Sequence, residues 1–117
     1  MANVANSSLA LVNATITNNQ TGAGNSVGGN GGGVFDNGSN PSGLLNTIVS
    51  GNTVAMGGQG LDLYGGFNSR DHNLIGDTNG ATIINVGPGD ILNQNPPGLA
   101  LLANNGGPTQ THGAARG

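Results

Sequence analysis

Arg70, Asp71 and His72 are consecutive, with Asp62 before them and Asp77 after. These are the residue types that polysaccharide chemistry uses. Calcium-holding aspartates with an arginine base would suit elimination on an acidic sugar, whereas a glycosidase needs two carboxyl groups about 5 to 9.5 Å apart, one of raised pKa. The supply is thin: Asp36, Asp62, Asp71, Asp77 and Asp90 are the only carboxylate side chains, and there is no Glu. The simpler reading is a solvated turn in which Asp71 pairs with Arg70 and His72 supports a bend, a surface contact worth about 0–1 kcal/mol. No catalytic, cofactor-binding or metal-ligating residue is therefore assigned from sequence.

Gly57 to Tyr64, Gly-Gly-Gln-Gly-Leu-Asp-Leu-Tyr, fits the calcium-binding nonapeptide G-G-x-G-x-D-x-U. In that design the ion lies between successive turns and takes six to eight oxygens, so tandem copies are required. From Gly65 onward Asn68 and Arg70 stand where a second copy needs Gly and Asp. A glycine turn entering a strand is the better account. Thr15 and Thr17 form one Thr-x-Thr pair, but Ile48 and Ser50 replace them in the next repeat, so no flat threonine array arises. The sequons at Asn6, Asn13, Asn19 and Asn37 are expected by chance in so Asn-rich a chain. Sugar-binding platforms are limited to Phe35, Tyr64 and Phe67.

The elements that must position these residues follow from a repeat. Leu44 to Asn52, Leu-Leu-Asn-Thr-Ile-Val-Ser-Gly-Asn, matches Leu11 to Asn19, Leu-Val-Asn-Ala-Thr-Ile-Thr-Asn-Asn, 33 residues earlier. In each, an apolar pair leads into an Asn, β-type residues follow, and a second Asn closes the unit. Leu9 and Leu11 share one face, and Ala14 and Ile16 resume it after Asn13, which predicts two short strands joined by a bend. Asn tolerates the left-handed backbone of such a bend. Glycines recur before Val34 and before Leu61 and Leu63, and the spacings Gly33 to Gly60 and Asn46 to Asn73 are both 27 residues. A repeat of this length cannot bury its own apolar face and must stack on its neighbours. The expected fold is all-β, a parallel β-helix (solenoid) of about three to four coils rising roughly 4.8 Å each.

Composition agrees. With 24 Gly, 6% charged and 3% aromatic residues in 117, neither a helical bundle nor an aromatic core is available. The short, phased apolar clusters argue for order in short strands over a disordered linker. A net charge of −3 with only Arg70 and Arg116 as cations speaks against nucleic acid as a partner. No apolar run is long enough for a membrane-spanning helix. The domain reading is a polar lead-in over 1–8, coils over 9–95, and a cap and loop tail over 96–117. Gln20 to Gly33 reads as a loop, and Leu99 to Ala103 as a short helical turn or apolar cap. Asn13, Asn46 and Asn73 are expected to stack as a ladder at one corner.

The segments Asn-Thr-Ile-Val-Ser-Gly-Asn (46–52), Asp-Leu-Tyr-Gly (62–65), His-Asn-Leu-Ile-Gly-Asp (72–77) and Asn-Gly-Gly-Pro-Thr-Gln-Thr-His (105–112) resemble the closing region of bacterial surface proteins. These are the right-handed parallel β-helix proteins of the choice-of-anchor Q group, related to polymorphic outer-membrane-type repeats. The resemblance implies right-handed coils, an extracellular or cell-surface location, and a structural or adhesive role with no cofactor. The partners it implies are neighbouring coils of the same protein or a cell-surface glycan. It also implies that the chain is a segment of a longer β-helix. A carbohydrate-active β-helix, lyase or hydrolase, using Asp62, Arg70, Asp71 and His72, is the alternative.

Overall fold

The computed structural model describes residues 1–22, 29–94 and 99–114. They contain strands and no helix, and the strands stack in four successive tiers. The first tier holds β1 (Ala2–Ala5), β2 (Ala10–Val12), β3 (Thr15–Ile16) and β4 (Gln20–Thr21). The second repeats it as β5 (Val34–Gly38), β6 (Ser42–Leu45), β7 (Ile48–Val49) and β8 (Thr53–Val54). Each first-tier strand pairs in parallel with its second-tier counterpart, and in all four pairs the register offset is 33, as in Leu11 opposite Leu44. The sequence repeat is thus a pairing register.

The third tier is shorter. β9 (Leu63–Ser69) pairs with β5 through its first half and with β6 through its second, running straight where the second tier turns between the two. β10 (Leu74–Ile75) pairs with β7. In the fourth tier β11 (Ala81–Ile84) pairs with β9, and β12 (Ile91–Leu92) with β10. The larger parallel sheet curls into a half-barrel. The expected 27-residue period averages over unequal steps. Asn46 lies opposite His72 by the register of β7 and β10, one residue from the expected Asn73, because the strand Ile48–Val49 aligns with Leu74–Ile75.

Alternation along these short strands sends one apolar residue per strand inward. Leu11, Val34, Leu44, Val49, Leu63, Phe67 and Ile75 form the core, with Leu9, Ala14, Ile16, Ala81, Ile83 and Leu92 packed against it. Ile16, Val49, Ile75 and Leu92 make one inward column through all four tiers. The outward column beside it is Thr15, Ile48, Leu74 and Ile91, so the single threonine is not repeated.

The corners obey the expected backbone chemistry. Asn13 (φ 53°) and Asn46 (φ 47°) both sit in the left-handed region that lets β2 turn into β3 and β6 into β7. Gly65, at φ 111°, lies against the Asp36 carbonyl, where any Cβ would overlap the oxygen. This close approach lets β5 and β9 pair there.

Three expectations need correction. Residues 1–8 are not merely a lead-in, for Ala2–Ala5 is a paired strand. Its inward residue is the polar Asn3, so no apolar alternation marks it. The loop predicted from Gln20 begins as β4, and its part over 23–28 lies outside the described residues. Leu99 to Ala103 is β13, not a helical turn, and it pairs antiparallel with β14 (Thr111–Ala114). Leu and Ala favour helix locally, but pairing with the later segment prevails.

Leu44 is fully buried in the second tier. Leu44→Ala is expected to cost about 2–5 kcal/mol in urea denaturation, whereas Met56→Ala, at a side chain 92% exposed, should stay within about 0.5 kcal/mol.

Candidate functional site

The five aspartates fall into separate settings. Asp62 and Asp77 line one cleft of about 440 Å³, between the second and later tiers, together with Asn52, Thr78 and Asn93. His72 lines a different cleft, beside Asn13, Asn46 and Gly89. The structure therefore brings Asp62 to Asp77, and Asp71 to His72, but does not gather all four around one cavity.

Asp62 follows the second-tier glycines and enters β9 with its side chain inward, 2% exposed. Its Oδ1 accepts from both the backbone N–H (2.9 Å) and the side-chain amide (2.8 Å) of Asn52. Its Oδ2 accepts from the Asp77 N–H at 2.8 Å. Burial is the largest influence on its pKa and outweighs these donors, with the nearby Asp77 charge adding to the rise. Three N–H donors already face the carboxylate oxygens, an arrangement complementary to an anion and opposed to a calcium ligand shell.

Asn52 is one member of a longer column. Asn19 donates through both N–H and side-chain amide to Asn52 Oδ1, each at 3.0 Å. Asn52 then does the same to Asp62. A second column runs in parallel. The Ala14 N–H donates to Thr47 Oγ1, the Thr47 N–H to Asn73 Oδ1, and the Asn73 N–H (2.9 Å) and side-chain amide (3.1 Å) to Asp90 Oδ1. Both columns pass from tier to tier and end on a carboxylate, the one side chain with acceptors and no donor.

Asp36 plays a similar part beside the first tier. It accepts from the N–H groups of Gly38 (2.8 Å) and Ser42 (3.0 Å) and from the Asn3 amide at 3.0 Å. Burial opposes ionisation of Asp36 and of Asp90, but in both the hydrogen bonds prevail and hold the carboxyl below its ordinary value.

At the Arg70–His72 turn, Asp71 (φ 79°) and His72 (φ 60°) make the bend. Asp71 Oδ1 accepts from the N–H groups of His72 (2.9 Å) and Gly89 (2.7 Å), and its Oδ2 lies 3.6 Å from His72 Nδ1. The expected partner Arg70 is not involved. Its guanidinium lies over Gly43, and the His72–Asp71 contact is the only ion pair among the described residues.

The corner ladder exists in part. The Asn46 amide donates to Asn13 Oδ1 at 2.7 Å, on the exposed surface. Asn73, expected to continue it, is buried one position further along and belongs to the Asp90 column. Sequence reasoning does not find the pairings of Asn19 with Asn52 and of Thr47 with Asn73. Their signal is the second Asn of each repeat unit, followed by an Asp with no apolar-strand role. The aromatic residues offer little open ring surface. Phe67 is fully buried, and Phe35 and Tyr64 stack on one another with centroids 5.6 Å apart and planes 5° from parallel.

No family model, curated protein or solved structure matches this chain.

The aspartates set a two-signed pH dependence. Asp36 and Asp90 ionise more readily when folded, so their stabilisation is present above the ordinary value of 3.8 and is lost as pH falls through their lower folded values. Asp62 acts in the opposite sense, its contribution declining as pH rises from 3.8 through its raised value. In urea unfolding from about pH 2 to 7, Asp90→Asn should flatten the acid limb and Asp62→Asn should remove the opposing slope. An acid limb unchanged in Asp90→Asn would contradict this assignment. Asn52→Ala, which strips a donor from Asp62 and the acceptor from Asn19, should cost about 1–3 kcal/mol.

Proposed function

We propose that the four tiers are coils of a right-handed parallel β-helix and that this β-helix is a non-enzymatic structural or adhesive segment of an extracellular or cell-surface protein. The observation that carries the reading is the employment of the carboxylates: all five aspartates accept at least one backbone N–H from their own framework. A group that fastens one tier to the next stabilises a stalk or display surface directly. The constant offset of 33 across four parallel strand pairs supports coil stacking. Handedness, surface location and a glycan or neighbouring-coil partner rest on the resemblance carried by residues 44–112.

A second reading has a specific observation behind it. Asp62, whose pKa is raised, shares a cleft with Asp77, and two carboxyl groups of unequal acidity are what a glycosidase needs. The Asp62 oxygens, however, are held by Asn52 and the Asp77 backbone. Arg70 and His72 do not line this cleft.

Turnover assays on pectin, alginate and neutral glycans separate the two readings. The structural reading expects no product from the native chain, with loss of the β-type circular dichroism when 44–52 is deleted. Turnover abolished in a folded Asp77→Asn or Arg70→Ala variant would reverse the assignment in favour of a carbohydrate-active enzyme.

A further inference from the structure

The first tier is paired on one side only. β1, β2, β3 and β4 each end their sheet, and among the described residues no strand lies beyond them. In a parallel ladder, successive residues direct their backbone groups to alternate sides. The carbonyls of Met1, Ala5, Leu9, Ala14, Ile16, Asn19 and Thr21 accept from second-tier N–H groups, and the Asn13 N–H donates to Leu45. The N–H groups of Ala2, Val4, Ala10, Val12, Thr15 and Gln20 therefore point away from the second tier. They lie around one end of the stack.

An exposed strand edge is ordinarily protected by charge, proline or a bulge. Here no charged side chain and no proline occurs before Asp36. Val4 and Val12, two of the residues whose amides face outward, are 56% and 54% exposed. The edge is thus neutral, partly apolar and rich in unused donors, which suits it to β pairing.

The other end of the stack is a poor complement. It offers only Ala81–Ile84 and Ile91–Leu92, against four strands in the first tier, and Asp77 and Asp90 lie near it. Head-to-tail stacking would leave half of the first-tier edge uncovered and would bring carboxylates towards it. The surface that matches the edge in perimeter and neutrality is the same edge of another molecule. A two-fold axis perpendicular to the stack makes facing strands antiparallel and closes the assembly at two copies.

We propose that the first-tier edge is a self-association surface, on which a second copy of this chain docks through the same edge in antiparallel β pairing to form a closed dimer. The proposal rests on the pairing pattern and is independent of the functional reading.

Sedimentation equilibrium of the full chain between about 1 and 100 μM, a span suited to transient or moderately tight association, should give twice the 11.4 kDa chain mass. Val12→Pro removes an N–H the single chain does not use, and proline is tolerated at such edge positions. It should keep the β-type circular dichroism and sediment as a monomer. Should that variant fail to fold, the double variant Ala10→Lys, Thr15→Lys places charge on the edge without touching the ladder. It should be monomeric, while Ile91→Lys at the other end should still dimerise. In the native chain, amide exchange at Val12 and Thr15 should slow at least about tenfold on passing from dilute to concentrated protein. A folded chain that stays monomeric at the highest concentration, species that grow beyond two copies, or edge variants that dimerise like the native chain would each overturn the proposal.

Discussion

The structure depends on one constraint of hydrogen-bond direction. A tier with so few apolar residues closes its interior with polar side chains, and each buried amide needs both a donor and an acceptor partner. In a stacked column every Asn can donate to the next, provided that the last member only accepts. Asn19 and Asn52 satisfy this by ending on Asp62, and Thr47 and Asn73 by ending on Asp90. Replacing either carboxylate with a group that also donates would leave one buried contact opposed. This explains why a chain with 6% charged residues places aspartates in its interior.

The same columns account for the narrowing of the stack. The first and second tiers share four strand positions, whereas the third has only β9 and β10. Asn52, at the start of the segment leading into β8, is capped by the Asp62 side chain rather than by a further backbone strand. With that position closed by a carboxylate, the chain proceeds from β10 to β11 through the turn of residues 76–80. The straight passage of β9 past β5 and β6 shortens the tier again, at the close approach that requires Gly65.

What the sequence made legible was the part of the fold in which local chemistry and register agree. Leu11, Ile16, Leu44 and Val49 lie inward, and Asn13 and Asn46 turn the chain with positive φ, as their spacing predicts. The misplaced features share a different cause. β1 has a polar inward residue, Asn3, whose worth lies in its bond to Asp36, 33 residues away. β13 is defined by a later partner. Asn73 repeats the letter of Asn46 but occupies the place of Thr47, because backbone pairing of Leu74–Ile75 with Ile48–Val49 sets the register. The candidate cluster Arg70–Asp71–His72 is visible as a bend, yet its internal pairing is not. His72, rather than Arg70, is carried towards Asp71 by the positive φ at both residues of the turn.

These distributed partners also bear on what the carboxylates can do. A catalytic acid or nucleophile must exchange its ground-state contacts for contacts with a substrate, and that exchange is inexpensive when the group faces water or a mobile loop. Asp62, Asp36 and Asp90 instead hold backbone groups on two sides of a junction, so engaging a substrate would strip donors from buried positions. The raised pKa of Asp62 arises from the burial that makes it a column end. An unusual acidity is then the electrostatic trace of a structural role, because the proton equilibrium reports how much of the surrounding water the fold has replaced with its own N–H groups.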